Sequence, residues 1–406
     1  MARRRTAVLA SMLLAVAGGI SACGGSESGS AATGSAGSST TDKGPIKIGV
    51  ASGQTGLVSF FDGPALAGAK VAVKDINAKG GVAGRQLELV VADHKSDPNQ
   101  IAPAALKVIE QGAKIVLGSC DYDFAGPAAR TAQAKGLLTL ACAGSPVFGR
   151  QGIGPLAFNA YVATPAEGAT MAEFAMQKGW TKAYALKDMG LEYSKTTCQY
   201  FTEAYKKLGG TIVGSDTFKN DDPSVQSQIT KLKGSGAQFV SLCSYPPGGA
   251  AAVKQIRDSG VKLPIVGGGA FDGTYWLKGI PKLSDFYNPG QGTVADEQDP
   301  ARKAFWAEYK QVTGAEALTG TYPLMGYSMI QIVAKALEAT NGNTDGKALA
   351  AAIEKFKDVQ LLPGLTTYTA KCHVPLSRAL LINQIQNGKQ TFVETLKPKF
   401  VPASPC

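Results

Sequence analysis

Apolar positions along this chain alternate between two spacings, and the alternation predicts the fold. From residue 46 onward, short runs of β-branched and aliphatic residues are followed by segments whose apolar positions recur every three or four residues. The pattern predicts strands at 46–51, 86–92, 114–117 and 137–141, with helices at about 63–78, 98–111 and 125–135 between and after them. A second series predicts helices at 165–178, 194–208, 224–232 and 249–259, and strands at 182–186, 211–213, 238–242 and 264–266. Strands alternating with helices form right-handed βαβ units around parallel sheets, with helices on both faces. Two such series imply two doubly wound, Rossmann-like α/β lobes, and the loops beyond the carboxyl ends of their strands are where a ligand is expected.

The first 44 residues follow a different pattern. Arg3, Arg4 and Arg5 precede an apolar run from Thr6 to Ile20, which is short for a bilayer span, and Ile20-Ser21-Ala22-Cys23 closes it. This resembles a bacterial lipoprotein signal, which implies removal of residues 1–22 and a diacylglycerol on Cys23. Each buried methylene would then contribute about 0.8 kcal/mol of membrane anchoring. Residues 23–44 are almost entirely Gly, Ser, Ala and Thr, the composition of a flexible tether. The expected location is the outer face of the cell membrane, where nucleotide cofactors are scarce, so no cofactor is expected.

Charge and cysteine content sharpen this picture. The formal net charge of +10 includes the three leader arginines; without them 38 basic residues face 31 acidic ones. The lysines are spread among acids at helical spacing, without an Arg-rich stripe, so the expectation is solvated helix faces and no nucleic-acid partner. Besides Cys23 there are six cysteines, and an even number in an oxidising compartment points to three disulfides with fifteen possible pairings. The chain has two histidines and neither a zinc-ligand spacing nor a Cys-x-x-Cys, so no metal is expected. No dinucleotide or phosphate loop, Gly-x-Ser-x-Gly elbow or Ser-x-x-Lys motif stands at a strand-to-helix turn, which argues against an enzyme.

Several stretches together carry a family likeness: Gly56-Leu57-Val58-Ser59-Phe60-Phe61; Lys74-Asp75-Ile76-Asn77-Ala78-Lys79-Gly80-Gly81-Val82-Ala83-Gly84; Asp93 and Asp97-Pro98; Gly118 to Pro127; Asp188 to Tyr193; and Tyr245-Pro246-Pro247. They resemble branched-chain amino-acid-binding proteins of ABC transporters across nearly the whole body. The resemblance implies a type I periplasmic-binding fold, two lobes joined by three crossovers that close over a solute, and a permease as partner of a monomeric binding protein. The crossovers are expected near 161–164, 288–295 and 363–377, giving lobe 1 as 45–163 plus 294–370 and lobe 2 as 164–293 plus 371–406. A sensory lipoprotein would use the same cleft, and a hydrolase is a third reading.

By the same resemblance, Tyr122 falls where the family has a carboxylate-binding serine, Ala143, Gly144 and Ser145 fall on its backbone and hydroxyl contacts, and Phe61 falls on an aromatic that covers the ligand. Tyr193 and Tyr245 are expected to stack on the ligand from lobe 2. The family's ammonium-neutralising acid falls on Gly269, with Asp272 the nearest carboxylate. Together with the many aromatics in strand-end loops, this leads to an expected ligand that is a small organic acid or amide with an apolar part, or else a branched-chain amino acid. Cys120 and Cys142 follow strands that should be sheet neighbours, so they are expected to pair, with Cys198 joined to Cys243 and Cys372 to Cys406.

Overall fold

A computed structural model describes residues 44–406. The signal, the lipidation site at Cys23 and all of the tether but its last residue lie outside the described residues. Lobe 1 is built on strands β1 (Ile46–Ser52), β2 (Leu87–Asp93), β3 (Ile115–Leu117), β4 (Leu138–Ala141) and β5 (Ala157–Asn159), in the all-parallel order β2-β1-β3-β4-β5. Helices α1 (Ser59–Ala78), α2 (Ile101–Glu110) and α3 (Tyr122–Ala134) connect them. The central strands are buried along their length, as expected for a parallel sheet covered on both faces.

Lobe 2 begins with α4 (Ala163–Gln177) and continues through β6 (Lys182–Asp188), α5 (Glu192–Lys207), β7 (Thr211–Phe218), α6 (Gln226–Gly234), β8 (Phe239–Cys243), α7 (Gly248–Asp258), β9 (Ile265–Gly267) and β10 (Phe286–Gly290). The chain then returns to lobe 1 as α8 (Pro300–Thr313), α9 (Tyr322–Ala339), α10 (Gly346–Ile353) and a small hairpin, β11 (Val359–Leu361) with β12 (Gly364–Thr366). It finishes in lobe 2 with β13 (Leu380–Gln386) and β14 (Lys389–Leu396), which add antiparallel to β10 and give the order β14-β13-β10-β9-β8-β6-β7.

Helix α9 completes lobe 1 by packing against α1. Gly68 faces the Pro323 carbonyl and Gly326 faces the Ala65 carbonyl, each too close for a side chain, so the two backbones approach directly. Leu324, Met329 and Val333 join Ala65, Leu66 and Ala69 in one buried cluster with the sheet.

The chain crosses between lobes at 160–163, 291–299 and 367–379. Arg378 pins the three together: it is 2% exposed, and its guanidinium donates to the Ala160 carbonyl at 2.9 Å, the Gln291 side chain at 3.3 Å and the Thr366 hydroxyl at 2.5 Å. Among the described residues no carboxylate pairs with it, and burial lowers its pKa to about 10. Disulfides join Cys120 to Cys142, Cys198 to Cys243 and Cys372 to Cys406, with Cα separations of 4.2, 5.4 and 4.7 Å. The first lies within lobe 1 and the second within lobe 2.

Helices α1 and α3 start three or four residues earlier than the apolar spacing predicts. Helix α1 begins at Ser59 rather than near Gly63, which leaves Pro64 inside the helix, past its first turn. Helix α3 begins at Tyr122 rather than Ala125, because Asp121 caps it.

Candidate functional site

The strand ends of lobe 1 build one wall of a cavity between the lobes. After β3 the chain runs through Ser119 and Cys120 to Asp121, whose Oδ1 accepts from the Asp123 and Phe124 amides at 2.8 and 3.4 Å and so starts α3. Behind this loop lies Asp62, which is 2% exposed. It accepts from the amides of Gly53 and Cys120, both at 2.7 Å, and from the Ser119 hydroxyl at 3.1 Å. After β4 the Cys120–Cys142 bridge leads into Gly144, whose carbonyl accepts from the Thr164 amide at 2.7 Å and so ties the loop to the start of α4. Asn159 holds the same loop by donating to the Ala143 and Ser145 carbonyls.

Lobe 2 supplies the opposite wall. The ring of Tyr193, at the start of α5, occupies the space beside Gly144; a Cβ there would lie 2.5 Å from the ring. The Tyr193 hydroxyl donates to Glu167 at 2.5 Å and accepts from the Ala270 amide at 3.0 Å. Glu167 also accepts from the Tyr161 hydroxyl at 2.6 Å and the Gly269 amide at 3.0 Å. One fully buried carboxylate thus gathers the first crossover, α5 and the loop after β9. A Cβ on Gly269 would meet the Tyr161 hydroxyl and stand 3.0 Å from the Glu167 carboxylate, so Tyr161, with Glu167 behind it, fills the place a side chain at 269 would take.

The lobes are closed on each other. Asp123 of α3 accepts from the Glu192 amide at 2.9 Å, so a lobe 1 carboxylate caps the lobe 2 helix α5, which has no side-chain cap of its own. Phe60 of α1 stacks on Tyr275 of lobe 2 with ring centroids 5.1 Å apart. Between these contacts a cavity of about 30 Å³ remains, room for about one or two waters. Phe61, Cys120, Asp121, Cys142, Gly144 and Tyr322 line it from lobe 1, and Tyr161 lines it from the crossover. Leu191, Tyr193, Tyr245, Gly269 and Ala270 line it from lobe 2.

The electrostatics are one-sided. Burial, reinforced by Asp123 and Asp62, pushes the Asp121 carboxyl up to about 7, and burial raises Asp62 to about 6. Burial also raises Glu167, although its three donors oppose the shift. The Tyr161 and Tyr193 hydroxyls are pushed well above their ordinary range by burial and by the Glu167 charge. No Lys, Arg or His lines the cavity. Among the described residues, no group of three or more His, Cys, Asp or Glu is arranged to hold a metal ion.

Of the expected ligand residues, the structure brings Phe61, Gly144, Tyr193 and Tyr245 to the cavity. It does not bring Tyr122, Ala143, Ser145 or Asp272 there. Because Asp121 turns inward as the cap of α3, Tyr122 points the other way; its hydroxyl accepts from Arg130 at 3.4 Å and its ring packs on a small alanine-rich cluster. Ala143 belongs to that buried cluster, and the Ser145 hydroxyl is used within its own loop, accepting from the Val147 amide. Asp272 is 4% exposed and accepts from Thr321 at the start of α9, Asn383 of β13, Gln390 of β14 and the Gln291 backbone. It clamps the hinge, and burial raises it to about 7. Glu167, Tyr161, Leu191 and Tyr322 are site residues that the sequence reading misses. A signal for Glu167 exists: it is the single charged residue in the small and apolar run from Ala163 to Ala172.

The periplasmic binding protein family profile matches residues 45–390. The chain belongs to the periplasmic binding protein family. This periplasmic binding protein is 27% identical over 333 residues to Leu/Ile/Val-binding protein homolog 3 of Brucella melitensis, covering 80% of this chain and 87% of that one. It is 25% identical to the Leu/Ile/Val-binding protein of Escherichia coli K12 over 67% of this chain and 78% of that one. Among solved structures, the Streptococcus pneumoniae branched-chain amino-acid-binding protein LivJ, in complex with isoleucine, superposes with a TM-score of 0.78 at 24% identity, over 87% of this chain and 100% of that one. A Rhodopseudomonas palustris solute-binding protein in complex with 4-hydroxybenzoate gives 0.77 at 19% identity, over 87% and 98%. The same two-lobed fold therefore houses both amino-acid and aromatic-acid ligands in its relatives. No helix among the described residues is long and apolar enough to cross a membrane.

Proposed function

We propose that this protein is a lipid-anchored solute-binding protein on the outer face of the cell membrane, which captures a small solute between its lobes and delivers it to the permease of an ABC importer. The observation that carries the reading is the cavity with walls from both lobes, bridged by contacts that opening would break, namely Asp123 to the α5 amide and Phe60 on Tyr275. A solute touching both walls stabilises the closed form, and that form is what a permease can distinguish from the empty one. No catalytic pair faces the cavity: its one carboxylate stands without a histidine or a lysine. The Cys23 signal supplies the anchor and the Gly/Ser tether supplies the reach.

The test is a thermal-shift screen of amino acids, amides, amines and aromatic acids on the purified protein, followed by small-angle scattering with each hit. At about 100 times its dissociation constant, a ligand of the native state stabilises by roughly 2.7 kcal/mol. A hit that also shrinks the radius of gyration supports capture by closure. Absence of any stabilising solute across the screen, or turnover of a bound one, would overturn the reading.

A further inference from the structure

Helix α5 opens at the cavity without a cap from its own lobe. Leu191 stands at the cap position, where its side chain can accept nothing, and both it and Tyr193 in the first turn line the cavity. The acceptor comes from across the cleft: Asp123, in the first turn of α3, takes the Glu192 amide at 2.9 Å. Two neighbouring aspartates thus divide the work. Asp121 accepts from the Asp123 and Phe124 amides and caps its own helix, which leaves the Asp123 carboxylate for the helix of the other lobe. The bare end of a helix carries amides without acceptors and the positive pole of its dipole, so a carboxylate placed there stabilises the first turn. This acceptor reaches α5 only when the lobes meet. The Tyr193 hydroxyl is held inside lobe 2 by Glu167 and the Ala270 amide, whereas its backbone end and Leu191 border the turn that lobe 1 completes. Asp123 itself is exposed and is not among the residues lining the cavity.

We propose that Asp123 is a positioning residue and a latch between the lobes: in the closed form it completes the first turn of α5, sets Leu191 and Tyr193 in place, and so tightens the grip on any solute by the same factor without choosing among solutes. This rests on the solute-binding reading and deepens it, because it separates a residue that holds the protein shut from those that meet what is inside. Selectivity is then left to the groups that line the cavity, and affinity is set in part by one that does not. The contact is open to solvent, so its effect is modest; loss of a capping side chain corresponds to roughly fivefold.

Hydrogen exchange on the full chain reads the latch without any solute. In Asp123→Ala the segment 192–196 should exchange roughly fivefold faster than in the wild type. The segment 126–134 in α3 should be unchanged, because Asp121 still caps that helix. Asp123→Asn keeps a side-chain oxygen for the Glu192 amide and should restore most of the protection. Calorimetry with two chemically unlike probes, L-isoleucine and 4-hydroxybenzoate, reads the positioning. Each probe that the wild type binds should lose roughly fivefold in affinity in Asp123→Ala, by the same factor for both, and regain it in Asp123→Asn. Unchanged exchange at 192–196 in the alanine variant overturns the proposal. So does an affinity loss confined to one of two bound probes, which would make Asp123 a solute contact, or a loss that asparagine does not relieve. If neither probe binds, the exchange result decides alone; the binding function itself falls only if the broad solute screen is silent as well.

Discussion

Asp272→Asn separates a hinge clamp from a ligand contact, and the structure sets the size of the effect. The Asp272 carboxyl is raised from 3.8 to about 7 because burial disfavours its charge more than Thr321, Gln291, Gln390 and Asn383 favour it. A carboxyl raised on folding binds its proton in the native state over a pH range where the unfolded chain has lost it. Its contribution to stability is therefore fully present at low pH and falls as pH rises from about 4 to about 7. Each tenfold change in proton affinity is worth about 1.4 kcal/mol, so this single group removes roughly 3 kcal/mol between about pH 4 and pH 7. Asparagine keeps the shape and one acceptor but cannot ionise. The variant's stability should therefore depend on pH by roughly 3 kcal/mol less than the wild type's across that window, while losing about 1 kcal/mol of hydrogen bonding at its acid end. Urea denaturation followed by tryptophan fluorescence reads this locally, since Trp276 packs on Phe271, the residue before Asp272. Asp121 and Asp62, raised to about 7 and about 6, keep a residual slope of the same sign in the variant. Parallel stability curves for the two proteins would refute the assignment of a buried, proton-holding clamp, and loss of solute binding with unchanged stability would return Asp272 to the ligand site.

Two further substitutions probe the walls of the cavity. Glu167→Ala strands the Tyr161 and Tyr193 hydroxyls and the Gly269 amide, and should cost roughly 3 kcal/mol in denaturation midpoint experiments, with Glu167→Gln costing less; an alanine variant as stable as the wild type would contradict the gathering role. Gly144→Ala places a methyl 2.5 Å from the Tyr193 ring, so it should hold the cleft open, raise the radius of gyration and weaken solute binding by roughly tenfold without unfolding either lobe. Unchanged affinity would mean that Tyr193 does not need its place beside Gly144.

The alternation of strand and helix is legible up to residue 266 because each strand of a doubly wound lobe is a short, mostly apolar run between helices of clear spacing. Strands β5 and β10 are not: the first is Ala-Phe-Asn, and the second carries Asn and Pro where it turns into the crossover. The site is legible as loops but not as directions. Strand-end logic leads to Cys120 through Asp123 and to Ala143 through Ser145, yet which of these faces the cavity depends on one rotation of the chain, set by Asp121 capping α3. Tyr122 is displaced by that cap alone. Glu167 is hidden for the opposite reason: it lies inside a helix buried from Ala163 to Ala175, where an acid among small and apolar residues reads as an interruption of the core rather than as the peg that three donors share.

The pairing of α1 with α9 has a temporal consequence. Helix α1 ends at Ala78 and its partner begins at Tyr322, so the lobe whose synthesis starts first waits for a helix made near the end of the chain. Until α9 arrives, Ala65, Leu66 and Ala69 lack the Leu324, Met329 and Val333 surface they bury against. Contacts this distant along the chain are slow to form, because loop closure must be met before packing repays it. A chain that has to be threaded across a membrane before it folds gains from that delay: as long as the last quarter is still in transit, the first quarter cannot lock.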